Sequence, residues 1–442
     1  MRLRLSLLRE RVRASLFFVP MLAVIGAIVF GLASLGVDRH LDPATDLPLG
    51  FTSTVDSARV VLSTIAGATM TFAGIAFSIS LLTIQLASSQ YSPRVVHTLF
   101  RDPFNKRVMA LVVGTFTYCV VVLRSVRSPL EDGGDPIIPN LSVAIAVFLG
   151  ITTILAVVAF INHSAHTMDV SEILERVQIE AIDQIRDEWT AAGTGDGRHD
   201  PLPTVEEPIH IVRFERSGWV QQVDLDTLLE CTPDDTLVRL DTFPGRYAVE
   251  GTPLCALSPP PVDCDQVERE LRSAVGVGST RTMQQDISYG LRQLADVALK
   301  ALSPGINDPT TAQDAIFHTT AVLGELLRRD PPARVRSGPR GTRVLLVEQP
   351  DHGDLIGMAF NEVRRAAATQ PAVCIYLLEA LHLLTEALTA TGCSHRTPPL
   401  RDQARLVVAG CEHADLLPED VHAVRAAHGH RFGPVELGGD QG

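Results

Sequence analysis

The sequence predicts a membrane α-helical protein with four transmembrane helices and a cytoplasmic α+β region, in which a small β module precedes a helical domain. Three observations predict it. Four apolar stretches, approximately 15–36, 58–87, 108–126 and 141–161, each approach the ~20 residues that a helix needs to cross a bilayer. Basic residues gather on alternate connections between those stretches. Beyond them the chain turns polar, so that 46% hydrophobic content coexists with 20% charged residues.

No Asp, Glu, Lys, Arg or His lies in the central part of any span. The first is preceded by MRLRLSLLRERVR, the basic start that a secretory signal would also show. Its apolar run is long and no A-x-A site follows, which predicts an uncleaved anchor. Arg2, Arg4, Arg9, Arg11 and Arg13 precede the first span, and Arg94, Arg101, Lys106 and Arg107 lie between the second and third. The other connections carry Asp38, Asp42, Asp46 and Asp56, then Glu131, Asp132 and Asp135, with Arg124 and Arg127 as exceptions. Positive charge stays inside, so both termini are expected in the cytoplasm.

The second span is unlike the others. No proline occurs from Thr54 to Gln90, so one helix would run ~55 Å at ~1.5 Å per residue, longer than the ~30 Å hydrocarbon layer. Ile65, Phe72, Ile79 and Leu86 recur every seven residues, with Ile75 and Leu82 beside them, as a bulky stripe. Ser63, Gly67, Thr71, Gly74, Ser78, Gln85 and Ser89 mark another side. Small residues let helices approach closely, which is one reading of that side. The other is a pathway of hydroxyls and one amide around the axis of an oligomer, with this helix central. Absence of intramembrane charge counts against proton-coupled transport or voltage sensing, and leaves a passive pore open. Ser92-Pro93 and Asp102-Pro103 are helix-start pairs and predict a short surface helix, Pro93 to about Arg101, whose arginines face lipid phosphates or simply mark the inner side.

The boundaries that follow are 1–161 for the transmembrane domain, 162–204 for a helical extension and linker, 205–262 for the β module, 263–430 for the helical domain and 431–442 for a flexible tail. The extension continues helically to about Thr190, with His163, His166 and Asp169 at three-residue spacing. Those three share a face but fall short of the ligand number a metal site needs. In the β module, 209–214, 218–225, 236–243 and 246–257 read as strands, the last two flanking a Pro244-Gly245 turn. It contains no lysine, which excludes attached biotin or lipoate.

Helices are expected at about 263–275, 309–329, 354–369, 371–391, 398–414 and 418–428, and an amphipathic one through Ile287, Leu291, Leu294, Val297, Ala298 and Leu302, with a short strand at 343–349 and a turn at GVGST (276–280). Asp296 and Lys300 are spaced for an ion pair. Ser303-Pro304-Gly305 stops one helix and Asp308-Pro309 starts the next. Asp286, Ser303, Asn307, Asp308, Thr310 and Thr311 are thereby gathered as a candidate ligand site or a self-satisfied structural turn.

A net charge of −13 excludes the basic face of a nucleic-acid binder. Seven scattered cysteines without a CxxC pair read as reduced thiols. There is no G-x-S-x-G, H-E-x-x-H, Walker A or Rossmann fingerprint, so neither an enzyme nor a cofactor is expected.

QLASSQYSPR (85–94), RTMQQDISYGLRQLADVALKALSPGINDPTTA (281–312) and GRYAVEGTPL (245–254) together resemble the bacterial predicted membrane proteins of domain-of-unknown-function family 2254. The resemblance covers most of the chain, to about residue 420. It implies a bacterial plasma-membrane protein with four helices and a cytoplasmic domain, and no established chemistry. The expected function is a homo-oligomeric channel or passive conduit, with the bilayer, further copies and an ion or small molecule as partners. The alternative is a membrane-anchored ligand sensor or scaffold.

Overall fold

A computed structural model of the chain describes residues 18–40, 54–90, 103–126, 139–166, 169–191, 203 and 207–433, with the backbone alone for 83–84, 86–90 and 165–166. The helix expected from Pro93 to Arg101, most of the linker and the tail from 434 lie outside these residues, as do the loop charges at 2–13, 42–46 and 131–135. The described residues fall into two compact units that meet in sequence at Asp169 and Val170.

The first unit holds four helices: α1 (Phe18–Asp38), α2 (Val55–Gln90), α3 (Pro103–Leu123) and α4 (Asn140–His166). At ~1.5 Å per residue, the 21 residues of α1 and of α3 each reach ~31 Å, one hydrocarbon thickness. The 36-residue α2 is continuous, as its lack of proline predicts. The central helix within one chain, however, is α3, which packs on α1, α2 and α4. Its Tyr118, Cys119 and Val122 are fully enclosed. Leu62 and Ile65 of α2 turn toward α3 and α4 together with the small Ala58, Ala66 and Ala76, while Ser63, Gly67, Thr71, Gly74 and Ser78 lie on the exposed side beside bulky Val60 and Leu81.

Polar groups fasten this bundle where apolar contact cannot discriminate. Asp38, at the end of α1, accepts the backbone N–H groups of Leu141 and Ser142 at 3.0 Å each and so caps α4 from a neighbouring helix. The Ser142 hydroxyl donates to the same carboxylate at 2.5 Å. Ser34 and Tyr118 meet at 3.0 Å, and the Tyr118 hydroxyl donates to the Ser142 carbonyl at 3.2 Å. Thr115 of α3 and Thr153 of α4 share a further bond at 3.0 Å. Gly31 and Gly150 supply the close approaches: a Cβ on them would lie 3.0 Å from Val121 and 3.2 Å from Ile65.

The second unit opens with α5 (Val170–Glu188). Asp169 before it is not helical, so the helix expected to run unbroken from the last span to about Thr190 is two helices. The β region contains β2 (His210–Arg213), β3 (Gly218–Val223), β4 (Leu237–Leu240), β5 (Tyr247–Ala248) and β6 (Pro253–Ser258). It also recruits strands from beyond 205–262. Here β7 (Val275–Gly278) pairs with β3, and β10 (Arg343–Leu346) pairs in parallel with β4 and antiparallel with β9 (Val335–Ser337). The result is a five-stranded sheet ordered β2-β6-β4-β10-β9 and a three-stranded sheet ordered β5-β3-β7. Val212, Val220, Leu240, Leu257 and Val344 fill the core of this region, with α6 (Leu225–Cys231) and α7 (Cys264–Ser273) contributing Leu228 and Leu271.

The turn expected at GVGST is therefore a strand. Its glycines serve close approach rather than reversal: a Cβ at Gly278 would sit 2.4 Å from the Gln221 amide, and one at Gly218 would sit 2.7 Å from the Gly278 carbonyl.

The remaining elements are mostly helices: α8 (Ile287–Ala301), α9 (Pro309–Leu326), α10 (His352–Ala367), α11 (Pro371–Ala390), α12 (Pro398–Glu412) and α13 (Pro418–Phe432). A two-stranded pair of β1 (Thr190–Ala191) with β8 (Arg329–Asp330) ties the end of α5 to the end of α9. Among the described residues, five helices are long and apolar enough to cross a membrane, α1 to α4 and α11. Half of the apolar window of α11 is buried, among α9, α10, α12 and α13. Leu377, Leu381, Leu384 and Leu388 form one enclosed face, so a core position inside a helical layer accounts for its apolar character.

Candidate functional site

On α2, Ser63, Gly67, Thr71, Gly74, Ser78 and Gln85 are all exposed, and among the described residues nothing beyond the helix's own backbone and chain neighbours comes within 4 Å of a Cβ at Gly67 or Gly74. The side chain of Ser89 lies outside the described residues. At about 100° per residue the six span an arc of about 80°, opposite the buried Ala58, Leu62, Thr69 and Ala76. Val60 and Leu81 share the arc, and so does Asp56, exposed in the first turn of the helix. The hydroxyls of Ser63, Thr71 and Ser78 donate to carbonyls of the preceding turn at 2.9–3.0 Å, so each keeps its oxygen lone pairs facing outward. Among the described residues of the first unit, Gly31 and Gly150 are where helices approach closely within the chain.

The turn from Ser303 to Thr311 is saturated by its own groups. Asp308 caps α9, accepting the Thr310 and Thr311 backbone N–H groups at 3.1 Å each and the Thr311 hydroxyl at 2.6 Å. Those bonds hold its carboxyl below the usual carboxylate range. Asn307, at φ 48°, accepts from Gln370 at 2.8 Å, and the Ser303 hydroxyl donates to the Lys300 carbonyl at 2.6 Å. A carboxylate occupies the place an anion would take, which leaves a rigid connection between α8 and α9.

Asp286 does not join that turn. It caps the opposite end of α8, ~22 Å away by helix rise over 15 residues. Arg281 donates to it at 2.6 and 2.9 Å and to Ser288 at 2.9 Å, and the Arg281 guanidinium lies over the rings of Trp219 and Tyr289. Burial pushes the Asp286 carboxyl up, and Arg281, Ser288 and the Tyr289 N–H pull it back. Gly245, at φ 92°, sits against this carboxylate so closely that a Cβ would fall 2.3 Å from Oδ2. The segments 245–254 and 281–312 thus meet at one contact. On α8 itself, Asp296 is bonded by Arg292 at 2.8 Å.

Beside this contact lies a cleft that the sequence does not announce. Its main chamber, about 290 Å³, is lined by Asp187 and Glu188 from α5, Thr242, Phe243 and Pro244 after β4, and Gln285. Pro332, Arg336, Leu346 and Glu348 complete the wall. A side chamber of about 90 Å³ shares Glu188, Phe243 and Gln285 and adds Trp189, Asp286 and Ser288. The Gln285 amide clamps Val223 at its edge, accepting the Val223 N–H at 2.7 Å. Burial pushes the Glu188 carboxyl up to about 7; a bond from Gln184 opposes this, and Asp187 and Asp286 add to it. Thr242 is 3% exposed and its hydroxyl has no hydrogen-bond partner. The one sequence signal near these walls is the Pro244-Gly245 turn, and a proline turn signals a loop rather than a cleft.

Among the described residues no group of three or more His, Cys, Asp or Glu side chains is placed to hold a metal. His163 stacks on Phe104, with ring centroids 4.7 Å apart, while the His166 side chain lies outside the description.

A family model described as a predicted membrane protein (DUF2254) matches residues 13–382. Uncharacterized proteins of Mycobacterium bovis and of Mycobacterium tuberculosis are 32% identical over 344 residues, which is 76% of this chain and 66% of theirs. The chain thus spans slightly under two thirds of the length of these relatives. No solved structure matches it.

Proposed function

Because the chain belongs to the predicted membrane protein family DUF2254, we propose that it is a four-span bacterial plasma-membrane protein that assembles as a homo-oligomeric passive conduit, with α2 at the axis. Both termini and the unit from Val170 onward are placed in the cytoplasm by the basic residues on alternate connections, and that unit acts as the gate. The reading assigns it no catalytic activity. α11 is left out of the membrane because its neighbours already cover half of its apolar window.

The observation that carries the reading is the uncovered arc of α2. The windows of α2 and α4 are equally exposed, 22% of each being buried, yet α2 is clearly the less apolar. Lipid would meet the arc without gain, whereas a second copy gains close backbone contact at Gly67 and Gly74, and a wet axis gains hydroxyl oxygens. Asp56 on the same arc would form an acidic ring at the outer mouth, which favours cations.

Purified protein in planar bilayers tests this. A symmetric oligomer that conducts is expected, with Gly74→Phe or Ser78→Phe lowering the current while the protein stays folded, and Asp56→Asn weakening the preference for cations. A stable monomer without conductance overturns it.

The cleft beside Gly245 and Asp286 favours a second reading, a membrane-anchored ligand sensor. A small molecule that raises the melting temperature of the full chain through that cleft, with no conductance, would select this reading.

A further inference from the structure

Two groups of the cleft stand out, a buried hydroxyl without a partner and a carboxyl whose partner is neutral. One is the Thr242 hydroxyl, 97% enclosed by the complement of its 3% exposure, lining the chamber and bonded to nothing. Buried hydroxyls are ordinarily paired, because an unmade bond costs about 1–3 kcal/mol. The other is the carboxylate of Glu188, whose partner is the neutral Gln184 amide. Among the described residues no arginine, lysine or histidine forms an ion pair with Glu188 or with its neighbour Asp187.

The charges around the chamber decide what would complete it. Asp187 and Glu188 come from α5, Glu348 from the segment after β10, and Asp286 from the start of α8. Arg281 already engages Asp286, and Arg246 engages Glu348. Arg336, from β9, is the one basic residue of the lining among the described residues and is exposed. Among the described residues, half-buried Glu188 and exposed Asp187 therefore line the space without an ion-paired cation, against the solvated Arg336 guanidinium. Phe243, Pro244, Pro332 and Leu346 give the chamber apolar walls beside the Gln285 and Gln349 amides. At about 290 Å³ the chamber is at the small end of ligand sites.

We propose that this cleft binds a small organic cation, a primary amine on an apolar body, with the ammonium bonded to the Glu188 carboxylate and the Thr242 hydroxyl oxygen. An ammonium carries three donors and no acceptor, which matches a carboxylate and an unpaired hydroxyl oxygen belonging to two residues that line one chamber. A charge pair formed out of water is strong enough to hold a ligand of this size only if the body is also enclosed, and Phe243 with the prolines encloses it. Binding of the cation requires the ionised carboxyl, so the ligand is taken up with release of a proton when the solution is below the Glu188 titration at about 7. The site rests on the sensor reading and not on the conduit. Binding and conductance are separate measurements, so either reading can fail alone.

Isothermal titration of the full chain in detergent micelles, with phenethylamine and with phenylacetate as probes, tests the proposal. Phenethylamine is expected to bind once per chain, about tenfold more tightly at pH 8 than at pH 6, and phenylacetate not at all. Glu188→Gln should weaken the amine at least tenfold and remove the pH dependence. Thr242→Val, which keeps the side-chain shape, should weaken it about fivefold, and this variant carries the test if Glu188→Gln fails to fold. Equal binding of the two probes, no amine binding at millimolar concentration, or unchanged amine affinity in either folded variant overturns it.

Discussion

Gly245 and Asp286 show how much a single contact can demand of two distant residues. A side chain at Gly245 meets both a positive φ, at roughly 1–3 kcal/mol, and the Asp286 carboxylate 2.3 Å away. Gly251 has a similar φ of 81° with nothing within 4 Å, so it isolates the backbone cost. In detergent, Gly245→Ala should lower the melting temperature of the full chain clearly more than Gly251→Ala; equal losses would remove the contact from the account. Glu188 makes a prediction of the opposite kind. Its folded pKa of about 7 lies above the ordinary 4.5, so the folded state holds the proton more tightly. Stability from this group is complete below about pH 4.5 and is lost as pH rises through about 7, by roughly 3 kcal/mol. Stability of Glu188→Gln, compared with the parent across pH 4.5–8, should lack that decline. The Asp308 cap was legible in the sequence because donor and acceptor lie within one turn. The Asp286 partner was not, because no local pattern reports which glycine a buried carboxylate will meet.

At the scale of elements, local chemistry carried most of the reading. The proline-free stretch gave one long α2, and Asp308-Pro309 gave the start of α9. Removing that cap with Asp308→Ala should cost about 1 kcal/mol, read as a lower melting temperature without loss of helix content. GVGST was misread because glycine marks both reversals and close strand approach, and only the pairing of β7 with β3 separates the two. The β region was legible as a set of strands but not as sheets, since β10 enters from far along the chain to pair in parallel with β4. The two faces of α2 were visible as periodicity. Which of them would be covered was not, because that depends on where α3 and α4 pack.

For the whole molecule, the membrane part and the β-containing region could be foreseen from composition, while the number of helices capable of spanning could not. α11 is apolar enough for a span while half of its apolar window packs against neighbouring helices, and hydropathy does not distinguish a span from a core helix. Labelling settles its role. In a chain with its seven cysteines replaced, Gly392→Cys, just beyond α11, should react with an impermeant maleimide from the same side of the membrane as Gly251→Cys. Reaction from opposite sides would make α11 a span. The central claim, that the small face of α2 meets its counterpart in other copies, is tested most directly by oxidative cross-linking in native membranes of the same cysteine-free chain. Gly74→Cys should give covalent dimers, whereas Phe148→Cys, 69% exposed on α4, should remain monomeric. Cross-linking at 148 and none at 74 would contradict the account.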